Sequence, residues 1–227
     1  MTSLLVGNHD NHRAASRYAP ELVDTLNMMI MLLPGTGVSY YGEELGMVDT
    51  WVSWEDTKDP QGCNAGPDHY MEASRDPERT PFQWRNAPLA GFTDGNSTWL
   101  PVNENYVTLN VDAQEKELLS HLNIYKQILA LRNTLTFQKG DLSVRTIGER
   151  IFTFRRLYPG EEGLLVVMNL GEEDVKGVNL QSVFDGLPDS AAVRVSSSFS
   201  TVKPGHAVET GNLDLLANEG LVLGLIA

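Results

Sequence analysis

Two short apolar runs separated by one helix constrain this chain more than any other feature. Ser3 to Gly7 is an apolar run ending in polar residues and reads as a strand buried on both faces. Glu21 to Leu33 follows as a helix, with Leu22, Leu26, Met29 and Leu33 at helical spacing and Pro34-Gly35 as the stop. Val38 to Tyr41 reads as a second strand, closed by Gly42. Strand, helix, strand makes a βαβ unit, whose crossover sets the two strands parallel. Ligands of parallel α/β folds bind at the carboxyl ends of strands. Chemistry is therefore expected in the polar string Gly7 to Arg13 (Gly-Asn-His-Asp-Asn-His-Arg) and in Gly42-Glu43-Glu44.

The bulk properties exclude several classes. With 227 residues and 41% hydrophobic content the chain can bury a core, as one large domain or two modest ones, and is not a disordered or fibrous protein. Lys and Arg number 17 against 30 Asp and Glu, and a net charge of −13 argues against nucleic-acid binding, which needs a basic stripe. The longest apolar run, Met28 to Leu33, is far short of the ~20 residues a bilayer demands. The start from Met1 to Val6 is too short and uncharged for a secretory signal. Ten acids lie between Glu43 and Glu78 against Lys58 and Arg75 alone. Such a concentration is either a solvated acidic face or the rim of a cleft whose chemistry uses carboxylates.

Periodicity splits the chain near residue 135, giving expected domains at 1–135 and 136–227. In the first, the stretch 42–112 carries six of the eleven prolines and all four tryptophans and shows no periodicity, so it is expected to be a functional loop or small subdomain. Gln114 to Arg132 then reads as one continuous helix, with Leu118, Leu122, Tyr125, Leu129 and Arg132 on a face. From Gly140 the texture becomes short alternating runs with turns between them. Leu142 to Ile147, Ile151 to Leu157, Leu164 to Asn169, Val193 to Ser197 and Leu221 to Ile226 are strand candidates for a small antiparallel sandwich. The fold class expected is thus α/β followed by all-β.

Three readings of the first polar string stay open on local grounds. His9, Asp10 and His12 are competent metal ligands, though adjacent residues rarely converge on one ion. Asn8 and Asp10 are suited to cap the coming helix. Alternatively, Asp10 holds charge and His9 donates hydrogen bonds in a substrate site. Trp51, Trp54, Trp84 and Trp99 suit the aromatic platforms of a sugar cleft, and suit packing within the loop nearly as well. Cys63 is either a buried thiol or half of a disulfide to a partner outside this sequence. Asn96-Ser97-Thr98 is a glycosylation sequon, weakly indicative of a secreted setting.

Three ordered motifs carry a family resemblance: Asn8-His9-Asp10 after an apolar strand, the run from Tyr40 to Met47 (Tyr-Tyr-Gly-Glu-Glu-Leu-Gly-Met), and the run from Arg79 to Trp84 (Arg-Thr-Pro-Phe-Gln-Trp). Together they resemble the α-glucosidases of glycoside hydrolase family thirteen, within the α-amylase superfamily, and are most similar to insect maltases. The resemblance implies that Ser3 to Gly7 and Val38 to Tyr41 are strands seven and eight of a (β/α)8 TIM barrel. It also implies that Gln114 to Arg132 is the closing helix and Gly140 to Ala227 the C-terminal sandwich. It implies a retaining hydrolysis of terminal α-linked glucose from maltose, sucrose or short oligosaccharides, with no metal and no other cofactor. Asp10 matches the carboxylate that stabilises the transition state, His9 and Arg79 match residues that hold the glucose, and Glu43 is expected at the mouth as a further substrate contact. The nucleophile and the acid/base of this family lie on earlier strands, so this chain alone is expected to be inactive. A secreted or cell-surface protein, with anchoring of the parent undecided, is the matching expectation. The alternative is a non-catalytic glucosidase-like protein such as the heavy chains of amino-acid transporters.

Overall fold

The computed structural model describes residues 2–225, and the chain divides into two compact units. One comprises the residues up to Leu4, Asp24–Gly37 and those from Ile124 on; the other comprises Leu5–Val23 and Val38–Asn123.

In the first unit β1 (Ser3–Leu4) and β2 (Thr36–Gly37) pair in parallel, Ser3 opposite Thr36, as a βαβ connection requires. β1 is shorter than the run Ser3 to Gly7, and Val38 to Tyr41, expected as the second strand, does not form one: β2 lies just before it and ends at Gly37, and Val38 is exposed. Ser3 and Leu5 are exposed too, so the first run is not buried on both faces. In this sheet of two, each strand has a neighbour along one edge only. The helix Val23–Leu32 is turned from its expected stripe: Met28, Met31 and Leu32 are buried, as are Asp24 and Thr25, while Met29 and Leu33 are half-covered. The cause is polar. Asp24 Oδ2 accepts the Ser198 amide at 2.9 Å, and Thr25 Oγ1 donates to the Asn218 carbonyl at 2.6 Å. Those anchors fix which face points inward, and a count of apolar residues misses them.

The remaining strands are β3 (Asp141–Ile147), β4 (Ile151–Leu157), β5 (Gly163–Asn169), β6 (Val175–Val178), β7 (Ser190–Ser196), β8 (Ala207–Glu209), β9 (Leu213–Leu215) and β10 (Gly220–Leu225). Six form an antiparallel sheet in the order β3-β4-β5-β10-β7-β8, and β6 pairs with β9. Leu165, Val167, Val193, Leu221 and Leu223 of the large sheet pack with Val178, Leu213 and Leu215 of the small one, a two-layer core. The central strands β5 and β10 are buried along their whole length. All five expected strands are present, each within a few residues; the last was expected to reach Ile226, which lies outside the described residues. β6, β8 and β9 were not anticipated, being only three or four residues long and so too short to show alternation.

The second unit contains no strand among its described residues; short helical turns and side-chain bonds to the backbone replace ladders. Asp59 caps the helix Pro60–Ala65, and Asn103 and Asn110 cap two further turns. Leu45, Met47 and Leu122 form a small core with Phe82, Leu109 and Val111. The continuous helix expected from Gln114 is two pieces, Val111–Gln114 and His121–Arg132. Buried Gln114 sends its amide nitrogen to the Leu45 carbonyl at 2.7 Å and takes the Leu122 amide on its oxygen at 2.8 Å. Ser120 Oγ accepts the Asn123 amide, the bond of a fresh N-cap. Leu118 consequently lies in the intervening turn, 82% exposed, and Ile124 and Ile128 take the buried positions.

Candidate active site

Asn8 shapes the first polar string. Its Oδ1 accepts the Asp10 amide at 2.8 Å and Asn11 Nδ2 at 3.0 Å, closing a tight turn that presents His9 and Asp10. The capping alternative does not hold, because the next helix, Ala14–Arg17, is preceded by Arg13 without a side-chain cap. Gly7 lies directly under this turn; a Cβ there would sit 2.2 Å from Glu43 Oε1. The second string turns at Gly42, whose φ of 91° is the left-handed region that favours glycine. Arg13 joins the two strings. Its guanidinium is buried over the rings of Tyr41 (4.7 Å) and Tyr40 (5.3 Å), and Nη1 donates to the Tyr41 carbonyl at 2.5 Å.

His9, Asp10 and Arg79 come together. Arg79 Nε donates to the His9 carbonyl at 2.7 Å and Nη2 to Asp10 Oδ1 at 3.1 Å, while His9 Nε2 lies 3.3 Å from Asp10 Oδ2. The Asp10 side chain remains about half exposed. Glu43 does not join them. It is buried, with Oε2 on the Tyr40 amide at 2.9 Å, so it braces the turn from within instead of standing at the mouth. Burial pushes its carboxyl, and that of Glu44, above the usual range, partly opposed by backbone amides and Arg13.

Two residues of this cluster were missed by sequence reasoning. Arg75 Nη1 donates to Asp10 Oδ1 at 2.7 Å, while its Nε and Nη2 grip both oxygens of Asp59 at 2.9 and 2.8 Å. The Asp59 side chain is fully buried. A fork of this kind suits Arg and not Lys. The Arg75 hydrogen bond, aided by the charges of His9, Arg75 and Arg79, holds the Asp10 carboxyl below its ordinary range; the same guanidinium depresses Asp59 further. The only signals were Asp59 placed before Pro60, an N-cap pattern, and Arg75 as one of two bases in the acid-rich stretch.

His12 turns away from Asp10: its Nδ1 bonds Asp49 Oδ2 at 2.7 Å and lies 3.7 Å from Glu78 Oε2. Among the described residues these three, and not His9, Asp10 and His12, form the group of metal-competent atoms within 4.8 Å of one another. The tryptophans divide. Trp84 and Trp99 line an apolar cavity of about 500 Å³ with Tyr41, Phe82, Glu44 and Arg79. Trp54 instead packs edge-on against Tyr70, and Trp51 is exposed. Cys63 is exposed, which removes the buried-thiol reading. Asn96 is exposed in a bend.

Chemically, one ionised carboxylate between two guanidinium groups and an imidazole can grip vicinal hydroxyls and oppose a developing positive charge. It lacks the pair of independently poised carboxyl groups that glycoside cleavage requires. The parallel strand pair and the antiparallel sheet domain together describe a segment that is part α/β and part all-β.

Residues 1–140 match the family model described as "Alpha amylase, catalytic domain". The chain belongs to the α-amylase family. It is 40% identical over 224 residues to Maltase 1 of Drosophila virilis, covering 98% of this chain and 35% of that protein. It is 40% identical over 220 residues to the salivary alpha-glucosidase of Anopheles gambiae (96% and 37%). With the amino acid transporter heavy chain SLC3A1 of Mus musculus it shares 34% over 221 residues (96% and 30%). A structure of Bacillus licheniformis trehalose-6-phosphate hydrolase superposes with a TM-score of 0.81 at 25% identity, covering 99% of this chain and 43% of that one. The structural neighbours are TIM-barrel enzymes with a C-terminal β-sheet domain. The chain spans about a third of the length of the curated relatives it matches.

Proposed function

We propose that this chain serves a retaining α-glucosidase of the maltase type, acting on terminal α-linked glucose of maltose, sucrose and short oligosaccharides. The observation that carries this reading is the convergence of His9, Asp10 and Arg79 beside an aromatic cavity, on residues far apart in sequence. In this reading Asp10 stays ionised and stabilises the oxocarbenium-like transition state while His9 and Arg79 hold the sugar. A nucleophilic carboxylate and an acid/base, absent from this cluster, come from the remainder of a protein of the relatives' length, so the 227 residues alone are inactive. Glu43 supports the turn from beneath and is not assigned to substrate. β1 and β2 are assigned to strands seven and eight of the barrel, residues 1–135 to the catalytic domain and 136–227 to the sandwich. Secretion is proposed from the similarity to salivary enzymes, with Asn96 as a glycosylation site; among the described residues no helix is long and apolar enough to cross a membrane.

Similarity to the transporter heavy chain supports a second reading, in which the fold binds and traffics without catalysis. Incubating the purified full-length protein with maltose separates the two: released glucose with retained anomeric configuration supports the enzyme, and no release above background supports the binding protein.

A further inference from the structure

We propose that His12, Asp49 and Glu78 form a binding site for a divalent transition-metal cation of the zinc class. The donors are His12 Nδ1, Asp49 Oδ2 and Glu78 Oε2, separated by 2.7 Å between the first two, 3.7 Å between His12 and Glu78, and no more than 4.8 Å throughout. Ligands about 2.0–2.1 Å from a tetrahedral ion stand roughly 3.3 Å apart. These separations bracket that value, so small side-chain rotations would seat an ion.

A second observation points the same way. Glu78 is 1% exposed, and its Oε2 has no hydrogen-bond partner. A buried carboxylate oxygen in that state is costly, and burial also pushes the Glu78 carboxyl upward. A cation satisfies it. The outer partners are in place as well. Asp49 Oδ1 accepts the Arg13 amide at 2.9 Å, the Asp49 amide donates to Ser16 Oγ at 2.7 Å, and the Thr50 amide donates to the Pro77 carbonyl at 3.0 Å. Such contacts orient ligands before an ion arrives. His12 is half exposed, which provides entry and leaves a position for water. One imidazole with two carboxylates suits zinc, cobalt or manganese better than soft copper(I). Because His12 follows Asp10 by two residues and Glu78 precedes Arg79, an ion here would clamp the two segments that carry the sugar-site cluster.

The test is calorimetric titration of zinc chloride into the metal-free 227-residue chain, alongside melting curves and the absorption spectrum with cobalt(II). The expected result is one saturable ion per chain, a raised Tm and a cobalt spectrum that shows nitrogen ligation. Affinity should fall at least about tenfold in Glu78→Gln and in His12→Asn, with His69→Asn unchanged. His12 is half exposed, so its variant keeps the test usable if the Glu78 variant does not fold. No saturable binding to wild type, or unchanged affinity in either variant, overturns the proposal.

Discussion

Replacing Arg75 by alanine tests whether Asp10 is held in place or merely happens to lie near a cation. Arg75 makes three side-chain hydrogen bonds to carboxylates, two to Asp59 and one to Asp10, and the Asp59 side chain has no exposure of its own. Truncation leaves Asp59 with the amides of Gln61 and Arg75 as donors. Breaking a buried ion pair by removing one partner costs about 3–5 kcal/mol. The surviving amides and the 27% exposure of Arg75 place this case at the lower end, ~3 kcal/mol. Arg75→Lys keeps the charge but not the planar fork, and should recover less than half. Urea unfolding reports it directly, because Trp51, Trp54, Trp84 and Trp99 all lie in the unit that contains this cluster. The pH dependence has a definite sign. Asp10 and Asp59 have folded-state carboxyls below their ordinary values, so their contribution is present above the ordinary carboxylate range and is lost as pH falls through the folded values. Wild type should therefore lose stability on acidification below about pH 4, and Arg75→Ala should show a flatter acid limb. A change below about 1 kcal/mol, or a lysine variant equal to wild type, would mean that the Arg75 fork does not hold Asp59 and Asp10 in place.

Other expectations follow from the same packing. Gly7→Ala drives a Cβ into Glu43 Oε1 and should cost about 1–3 kcal/mol in chemical denaturation, relieved when Glu43 is also shortened to alanine. Leu118→Ser should stay within about 0.5 kcal/mol of wild type, since Leu118 is exposed, whereas Ile128→Ala should cost about 2–5 kcal/mol. The reverse order would restore the continuous helix from Gln114. Cys63 should react with a maleimide in the native state, and protection until denaturant is added would contradict its exposure.

What the sequence disclosed followed physical range. β4, β5, β7 and β10 were legible because burial leaves apolar runs long enough to recognise, whereas the second parallel strand was expected at Val38 to Tyr41 and lies instead at Thr36–Gly37. The break at Gln114 was not, because a buried glutamine, bonded across to Leu45, outweighs an otherwise good helical pattern. The face of Val23–Leu32 was misjudged for a similar reason, since Asp24 and Thr25 point inward to partners some 170 residues or more away. At the site, His9, Asp10 and Arg79 were named from motifs, but Arg75 and Asp59 were not: an N-cap pattern and one of two bases in an acidic stretch do not disclose a guanidinium that reaches three oxygens on two segments. Glu43 lies differently from its motif-based placement at the mouth. Its motif suggested contact with substrate, and the side chain is buried against Gly7 and Tyr40.

The proposed function requires Asp10 to act as an ionised carboxylate at a sugar's reacting centre. Steady-state hydrolysis of maltose by the full-length protein, with and without Asp10→Asn, tests that most directly. The substitution keeps the shape and removes the charge, so kcat should fall by about a hundredfold or more while the melting temperature stays within a few degrees. An Asp10→Asn enzyme that turns over maltose at the wild-type rate would show that the Asp10 charge plays no part in the reaction.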